Sequence, residues 1–517
     1  MTKQSFLKGT FILMAAGMIT KILGVVNKIV IARIIGDEGV GLYMMAYPTL
    51  ILTVTLTQMG LPVAISKMVA EASALNDRNK IKRILTVSFM VVGVLSVVFT
   101  TVMVLLAPLL SRTVFTDERT LYPLIAIAPI VPIVAVSSVL RGYFQGLSNM
   151  KPYAYSQVIE QVVRISLVAF LATSLLPLGI EYAAGGAMIA GVIGEFVSLI
   201  YMLTMFKVNK KIKIRKGFWN YINRGRETFK QLMNIALPTT GSRLIGSLSN
   251  FLEPIVIANS LTLAGVSTAL ATRQYGELAG YAIPLLLLPS FITHALHVSL
   301  VPSISEAHAT KRFQVIHYRL NQALKIAMIT GGITIVISYI FAKPIMTLMY
   351  HSPGSAVYVY VMAPFFFLFY FQGPLAAVLQ ALDLAKAAMI NSFIGAALKI
   401  VTIIALASRP DLGIIGAALG FVVSVVLVTL LHFATVIKTI GFSLVVKDFL
   451  KGVICIILTG LFAGFLMKNT LLEWPLLIRT ASLIIIVLVF YFVLIVLFRL
   501  LTKDELRHFP IIGKSLK

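Results

Sequence analysis

The sequence predicts an all-α integral membrane protein of about 14 transmembrane helices, arranged as two pseudo-symmetric lobes of six helices with two further helices at the C-terminal end. Three observations predict it. Hydrophobic residues fill 59% of 517 positions and charged residues only 12%, with a mean hydropathy of +0.95, and so much apolar surface has no soluble interior to hide in. Apolar stretches of roughly 20 residues recur along the chain, each long enough to cross about 30 Å of hydrocarbon as a helix. Finally, the chain reads as if written twice.

The first span covers 9–35. Lys3 and Lys8 precede it in the manner of a secretion signal, yet the apolar run continues past Lys21 to Ile35 and the duplication needs it, so it reads as an uncleaved helix. Spans at 40–66, 82–107, 121–146, 156–177 and 182–206 complete a first lobe, 1–206. The segment 207–230 is the longest hydrophilic one and carries Lys210, Lys211, Lys213, Arg215, Lys216, Arg224 and Arg226 around Phe218, Trp219 and Tyr221. It reads as a basic cytoplasmic linker and orientation anchor, with an interfacial turn against anionic membrane lipids as the second reading. Spans at 231–258, 276–305, 320–341, 357–382, 386–407 and 413–437 form the second lobe, 231–440. The last two, 449–467 and 475–500, have no repeat counterpart and make up 441–517 with a cytoplasmic tail. Prolines within the spans remove backbone hydrogen bonds, and Pro48 and Pro284 are the candidate hinges.

The duplication is carried by Thr20-Lys21-Ile22-Leu23-Gly24 against Ser242-Arg243-Leu244-Ile245-Gly246. Downstream it continues at near-constant spacing: Ala128-Pro129 against Ala363-Pro364, Gln145-Gly146-Leu147 against Gln380-Ala381-Leu382, Lys151 against Lys386, and Arg164-Ile165 against Lys399-Ile400. Leu178-Gly179-Ile180 likewise recurs as Leu412-Gly413-Ile414. Six helices per copy is an even number, so the copies share an orientation about an axis along the membrane normal.

The net charge of +25 does not indicate nucleic acid, because the cations alternate between loops instead of gathering on one domain. With both termini in the cytoplasm, roughly 30 Lys and Arg residues fall on the cytoplasmic side and roughly 8 outside, the asymmetry that sets membrane orientation. External loops carry Asp37 with Glu38 and Asp117 with Glu118. The single cysteine, Cys455, excludes an intrachain disulfide and thiolate metal clusters. No phosphate-binding glycine loop, nucleophile motif or metal-ligand set appears, so neither a cofactor nor an enzyme activity is expected.

An ionised side chain near mid-bilayer costs about 2.5 to 3.5 kcal/mol on insertion scales, so it normally faces water or a partner. Lys21, Arg164, Arg243 and Lys399 are the candidates at equivalent depths of the two copies. Lys21 and Lys28 stand two turns apart on one helix face, and Arg243 with Asn250 repeats that spacing. Such stripes would line a shared cavity with positive potential, the requirement for carrying an anion. Lys28 and Arg33 can equally snorkel to the surface, Arg164 can pair with Glu160 one turn earlier, and Arg273 belongs to the cavity mouth or the surface. Glu160 and Glu253 are coupling or ion-pair candidates; with Glu195 and Glu277 they are too scattered for a cation pathway. His294 and His297 read as packing residues, and Gly142 with Gly146 as a helix-contact GxxxG.

The run Lys21-Ile22-Leu23-Gly24 through Ile31-Ala32-Arg33-Ile34-Ile35-Gly36, the stretch Arg141-Gly142-Tyr143-Phe144-Gln145-Gly146, and twelve duplicated helices plus two resemble the polysaccharide and lipid-linked-precursor exporters of the multidrug/oligosaccharidyl-lipid/polysaccharide superfamily, within its sporulation branch. The resemblance implies a MATE-like fold and an alternating-access flippase for an undecaprenyl-pyrophosphate-linked sugar, lipid II for spore cortex peptidoglycan. It also implies a place in the cytoplasmic membrane of the sporulating cell, working beside cell-wall synthases. In related lipid II flippases a cavity arginine falls at Lys21, a second at Asn27 and a third near Leu52, so only the first keeps its charge here. The family also places a lipid-tail groove beside the two extra helices. A drug or cation antiporter of the same fold is disfavoured because the candidate cavity has the wrong sign. A non-transporting scaffold for wall synthesis stays open, and a membrane glycosyltransferase lacks an acidic catalytic loop.

Overall fold

The computed structural model describes residues 3–147, 149–208 and 225–500. Most of the basic linker expected at 207–230, and the tail past residue 500, lie outside the described residues. Among the described residues every regular element is helical. Among the described residues ten helices are long and apolar enough to cross a membrane, or twelve when two bent pairs each count as one span. Those twelve follow the expected spans in order from 82–107 onward. The two expected before them, 9–35 and most of 40–66, share one helix, α1 (Lys3–Gln58), which turns into α2 (Leu61–Ala74). The break in α1 falls at Gly36 (φ 66°, ψ −175°) and not at Pro48, because a positive φ costs glycine little, while Pro48 keeps helical geometry.

The chain divides into two compact units, Met1–Gly280 with Ile403–Gly416, and Tyr281–Thr402 with Ala417–Lys517. The first holds α1, α2, α3 (Arg78–Leu109), α4 (Leu121–Ile127), α5 (Ile130–Gly146), α6 (Lys151–Leu175), α7 (Ile180–Val208), α8 (Arg226–Leu263) and α9 (Thr268–Tyr275). Asp77 starts α3 by accepting the Lys80 amide at 2.8 Å. Close helix contacts depend on missing side chains. A Cβ on Gly142 would stand 2.8 Å from the Pro62 carbonyl oxygen, and one on Gly146 2.7 Å from that of Ser66, so the GxxxG of α5 seats α2 backbone to side-chain-free face. Gly194 lets α7 approach α6 in the same way, its absent Cβ lying 2.9 Å from the Glu160 carbonyl oxygen.

The second unit contains α10 (Ile283–Leu287), α11 (Ser290–Ala309), α12 (Phe313–Ile340), α13 (Ala342–Tyr350), α14 (Ala356–Phe366), α15 (Phe369–Ala381), most of α16 (Ala385–Ala407) and α17 (Ile414–Ile440), then α18 (Val446–Asn469) and α19 (Leu476–Leu497). Several of its buried polar groups find partners inside the bundle, where lipid offers none. The Tyr370 hydroxyl donates to the Leu286 carbonyl at 2.7 Å and Tyr491 to that of Ile329 at 3.0 Å. His297 bridges the Gly373 carbonyl and Gln380, each at 3.1 Å, which is the packing role expected of it.

Repeat partners occupy the same places in the helix order. Gln145-Gly146 ends α5 and Gln380-Ala381 ends α15; Lys151 opens α6 and Lys386 lies in the first turn of α16. Gly179 (φ 140°) and Gly413 (φ 47°) stand one residue before α7 and α17, where a chain reversing between two long helices needs a backbone that L side chains avoid.

Gly142→Ala is expected to cost about 1–3 kcal/mol through overpacking against α2, read as a lower melting temperature in detergent. Gly24→Ala, where nothing lies within 4 Å of the added methyl, should leave the melting temperature unchanged or raise it.

Candidate functional site

Within the first unit a cavity of about 480 Å³ opens among α1, α2, α5, α6, α7 and α8. Helix α5 contributes more of its polar wall than any other helix, because Ser137, Arg141 and Gln145 follow one another at four-residue spacing and so share a face of an otherwise apolar helix. Gln58 from the end of α1, Tyr153 from α6, Glu195 from α7 and Arg243 from α8 complete it. Two guanidinium groups therefore face one carboxylate and two carboxamides.

The two arginines are held differently. Arg141 Nη1 donates to the Tyr153 hydroxyl at 3.1 Å, its guanidinium carbon lies 5.2 Å from the centre of that ring, and Gln157 Nε2 donates to the same hydroxyl at 2.8 Å. Arg141 is thus fixed in place. The Arg243 guanidinium is exposed to the cavity and pairs with no side chain among the described residues. Neither arginine forms a salt bridge with Glu195.

Behind Glu195 lies a second charged layer. Arg164 pairs with Glu160 one turn away on α6, and the Glu195 carboxylate sits beside both. Arg164 crosses α7 over Gly191, where a Cβ would be 3.6 Å from its Nε, and Tyr43 and Tyr47 of α1 approach it from the other side. The ion pair between Arg164 and Glu160 is the alternative the spacing allowed, and it matches the Arg164 charge.

The other expected site residues lie apart. Lys21 is exposed and Lys28 half-buried on α1, and neither lines this cavity. Asn27 between them is 5% exposed with its Oδ1 unpartnered. Glu253 of α8 lies near buried Tyr275. Lys399 belongs to the second unit, where it is 7% exposed with Nζ 5.1 Å from the ring centre of Phe421. Arg273 pairs with Asp37 at 3.2 Å and Glu277 at 3.3 Å, so carboxylates stand beside its charge. Those contacts belong to a cluster at the α1 break, in which Arg119 bridges Glu38 (2.7 Å) and Asp117 (2.9 Å), and Thr272 donates to Asp117 at 2.8 Å. Arg141, Gln145 and Ser137 were not singled out as site residues from the sequence. Their four-residue spacing was the available signal.

Fold and cavity together define a multi-pass membrane protein whose apolar bundle encloses a polar, arginine-lined chamber. Residues 6–308 match the family described as polysaccharide biosynthesis protein, and residues 254–404 match MatE. The chain belongs to the polysaccharide biosynthesis protein family. It is 56% identical over 514 residues to stage V sporulation protein B of Bacillus subtilis (strain 168), covering 99% of each chain. Its fold is shared with the lipid II flippase MurJ in an inward closed conformation (TM-score 0.71, 16% identity, 94% of this chain and 98% of that one). It is shared too with an inward-facing multidrug resistance MATE transporter (TM-score 0.68, 17% identity, 82% and 94%).

Removing Arg119 strands the buried Asp117 carboxylate, which is 4% exposed, so Arg119→Ala should cost about 2–3 kcal/mol of stability. Arg273→Ala, whose side chain is 55% exposed, should cost under about 1 kcal/mol and less still in high salt. Thermal unfolding of both variants across a salt series measures the contrast.

Proposed function

We propose that this protein is an alternating-access flippase that moves an undecaprenyl-pyrophosphate-linked sugar precursor, lipid II, across the cytoplasmic membrane for spore cortex peptidoglycan. The observation that carries the reading is the pairing state of the membrane arginines: Arg164 has its own carboxylate, while Arg243 and Arg141 face a chamber with no salt bridge. A pyrophosphate entering a low-dielectric slab needs preplaced cations that have not been neutralised. Arg141, oriented by Tyr153, offers a fixed fork for one phosphate, and Arg243 adapts to the other. Gln58 and Gln145 add donors and acceptors for sugar hydroxyls beside them. The polyprenyl tail stays in lipid. The termini lie in the cytoplasm, as the distribution of cations implies.

The likeness to stage V sporulation protein B supports the sporulation role, and the fold shared with a lipid II flippase supports the cargo. A cationic drug would be repelled by the two arginines, which argues against the antiporter reading. External accessibility of lipid II in cells lacking other flippases is the direct test. It should appear with the wild-type protein, fall at least about tenfold in Arg243→Ala and in Arg141→Ala, and be partly kept by Arg243→Lys. A scaffold would leave accessibility the same in all four.

A further inference from the structure

Glu195 is the one carboxylate on the cavity wall, and a phosphate site has no direct use for it. It stands between two sets of charges. On the cavity side are Arg141 of α5 and Arg243 of α8, neither bonded to it. On the other side, Glu160 and Arg164 of α6 already form an ion pair, with Tyr43 and Tyr47 of α1 against the guanidinium. Ser137, 5% exposed, presents its hydroxyl from α5. Glu160 and Glu195 thus share a single guanidinium, Arg164, in a water-poor interior. Two carboxylates at one site do not both stay ionised unless other cations support them. Arg141 and Arg243, which line the same cavity as Glu195, are the further cations placed to give that support.

A bound pyrophosphate takes both arginines away from Glu195. The sugar-linked diester carries two negative charges, whereas the wall with Glu195 ionised offers two positive and one negative. With Glu195 protonated the charges match. We infer that Glu195 is a proton-linked positioning residue of the phosphate site: it is ionised when the cavity is empty and takes up one proton from water when the anion binds. The proton adds to a carboxylate oxygen and leaves again when the anion departs, so no other group is consumed. Anion and proton bind cooperatively, by the reciprocity that governs any two linked ligands. This inference rests on the phosphate site proposed above.

The test is binding of a short-chain polyprenyl pyrophosphate disaccharide to the full-length protein in nanodiscs across a pH series. Both phosphates of that probe are diesters and do not titrate near neutral pH. Wild-type affinity should rise as pH falls, approaching tenfold per pH unit for one linked proton, and unbuffered binding should alkalinise the medium. Glu195→Gln should bind at every pH as the wild type does at low pH, with no proton uptake. Glu195→Asp, which keeps a titrating group, should retain a pH-dependent affinity. A wild type and Glu195→Gln with the same pH profile, and no proton uptake on binding, would overturn the proton link while leaving the phosphate site standing. Absence of probe binding, or binding unchanged by Arg243→Ala, would instead remove the proposed site and this inference with it.

Discussion

The constraint on which the rest depends is that lipid offers no counter-ion. Every charged side chain in the bundle must bring a partner, cap a backbone group or face a wet space. The molecule uses all three solutions. Arg119, Arg164 and Arg273 have carboxylates within salt-bridge distance. Lys451 Nζ donates to the Phe498 carbonyl at 3.1 Å and Arg479 Nη2 to that of Met467 at 2.5 Å, closing the ends of α19 and α18. Arg243 and Arg141 take the third solution, facing the cavity of the first unit.

Glycines bring the charges within reach of one another. The Glu160 and Arg164 turn of α6 lies directly on Gly191 and Gly194 of α7, and a side chain at Gly194 would force α6 away from the helix that carries Glu195. Gly142 and Gly146 bind α5 to α2, on the helix whose Arg141 and Gln145 line the cavity with Glu195. Packing and electrostatics are therefore one design: the small residues that replace a hydrophobic driving force between membrane helices also fix the spacing of the charges.

Much of this was legible in the sequence because apolar length and repeated local chemistry are local signals. The spans from 82–107 onward and the repeat pairs Gln145 with Gln380 and Gly179 with Gly413, which hold matching places in the helix order, follow from residues adjacent in the chain. Arg243 was legible for the same reason, through the pentapeptide it shares with Lys21. The partners of Arg273 were half hidden, since Glu277 is one turn away but Asp37 comes from the far end of the unit. Arg141 was passed over because the glycines beside it gave the stretch a packing explanation that is also true. One helix here presents a contact face and a polar face at once, and a motif that accounts for the first conceals the second.

The unequal anchoring of the two cavity arginines bears on how such a site can both capture and release. A fully fixed pair would lower the cost of ordering on binding and hold the anion firmly, which slows departure. A fully mobile pair would give up the specificity of a preset fork. Arg141, held by Tyr153 of α6, whose hydroxyl Gln157 of the same helix also holds, keeps a constant reference geometry. Arg243 reaches in from α8, a helix of 38 residues, without a side-chain partner among the described residues, so its contribution follows any movement of that helix. On the proposed reading, grip on the anion would be strongest with α8 close to α5 and weaker with the two apart, coupling affinity to conformation without a separate release mechanism.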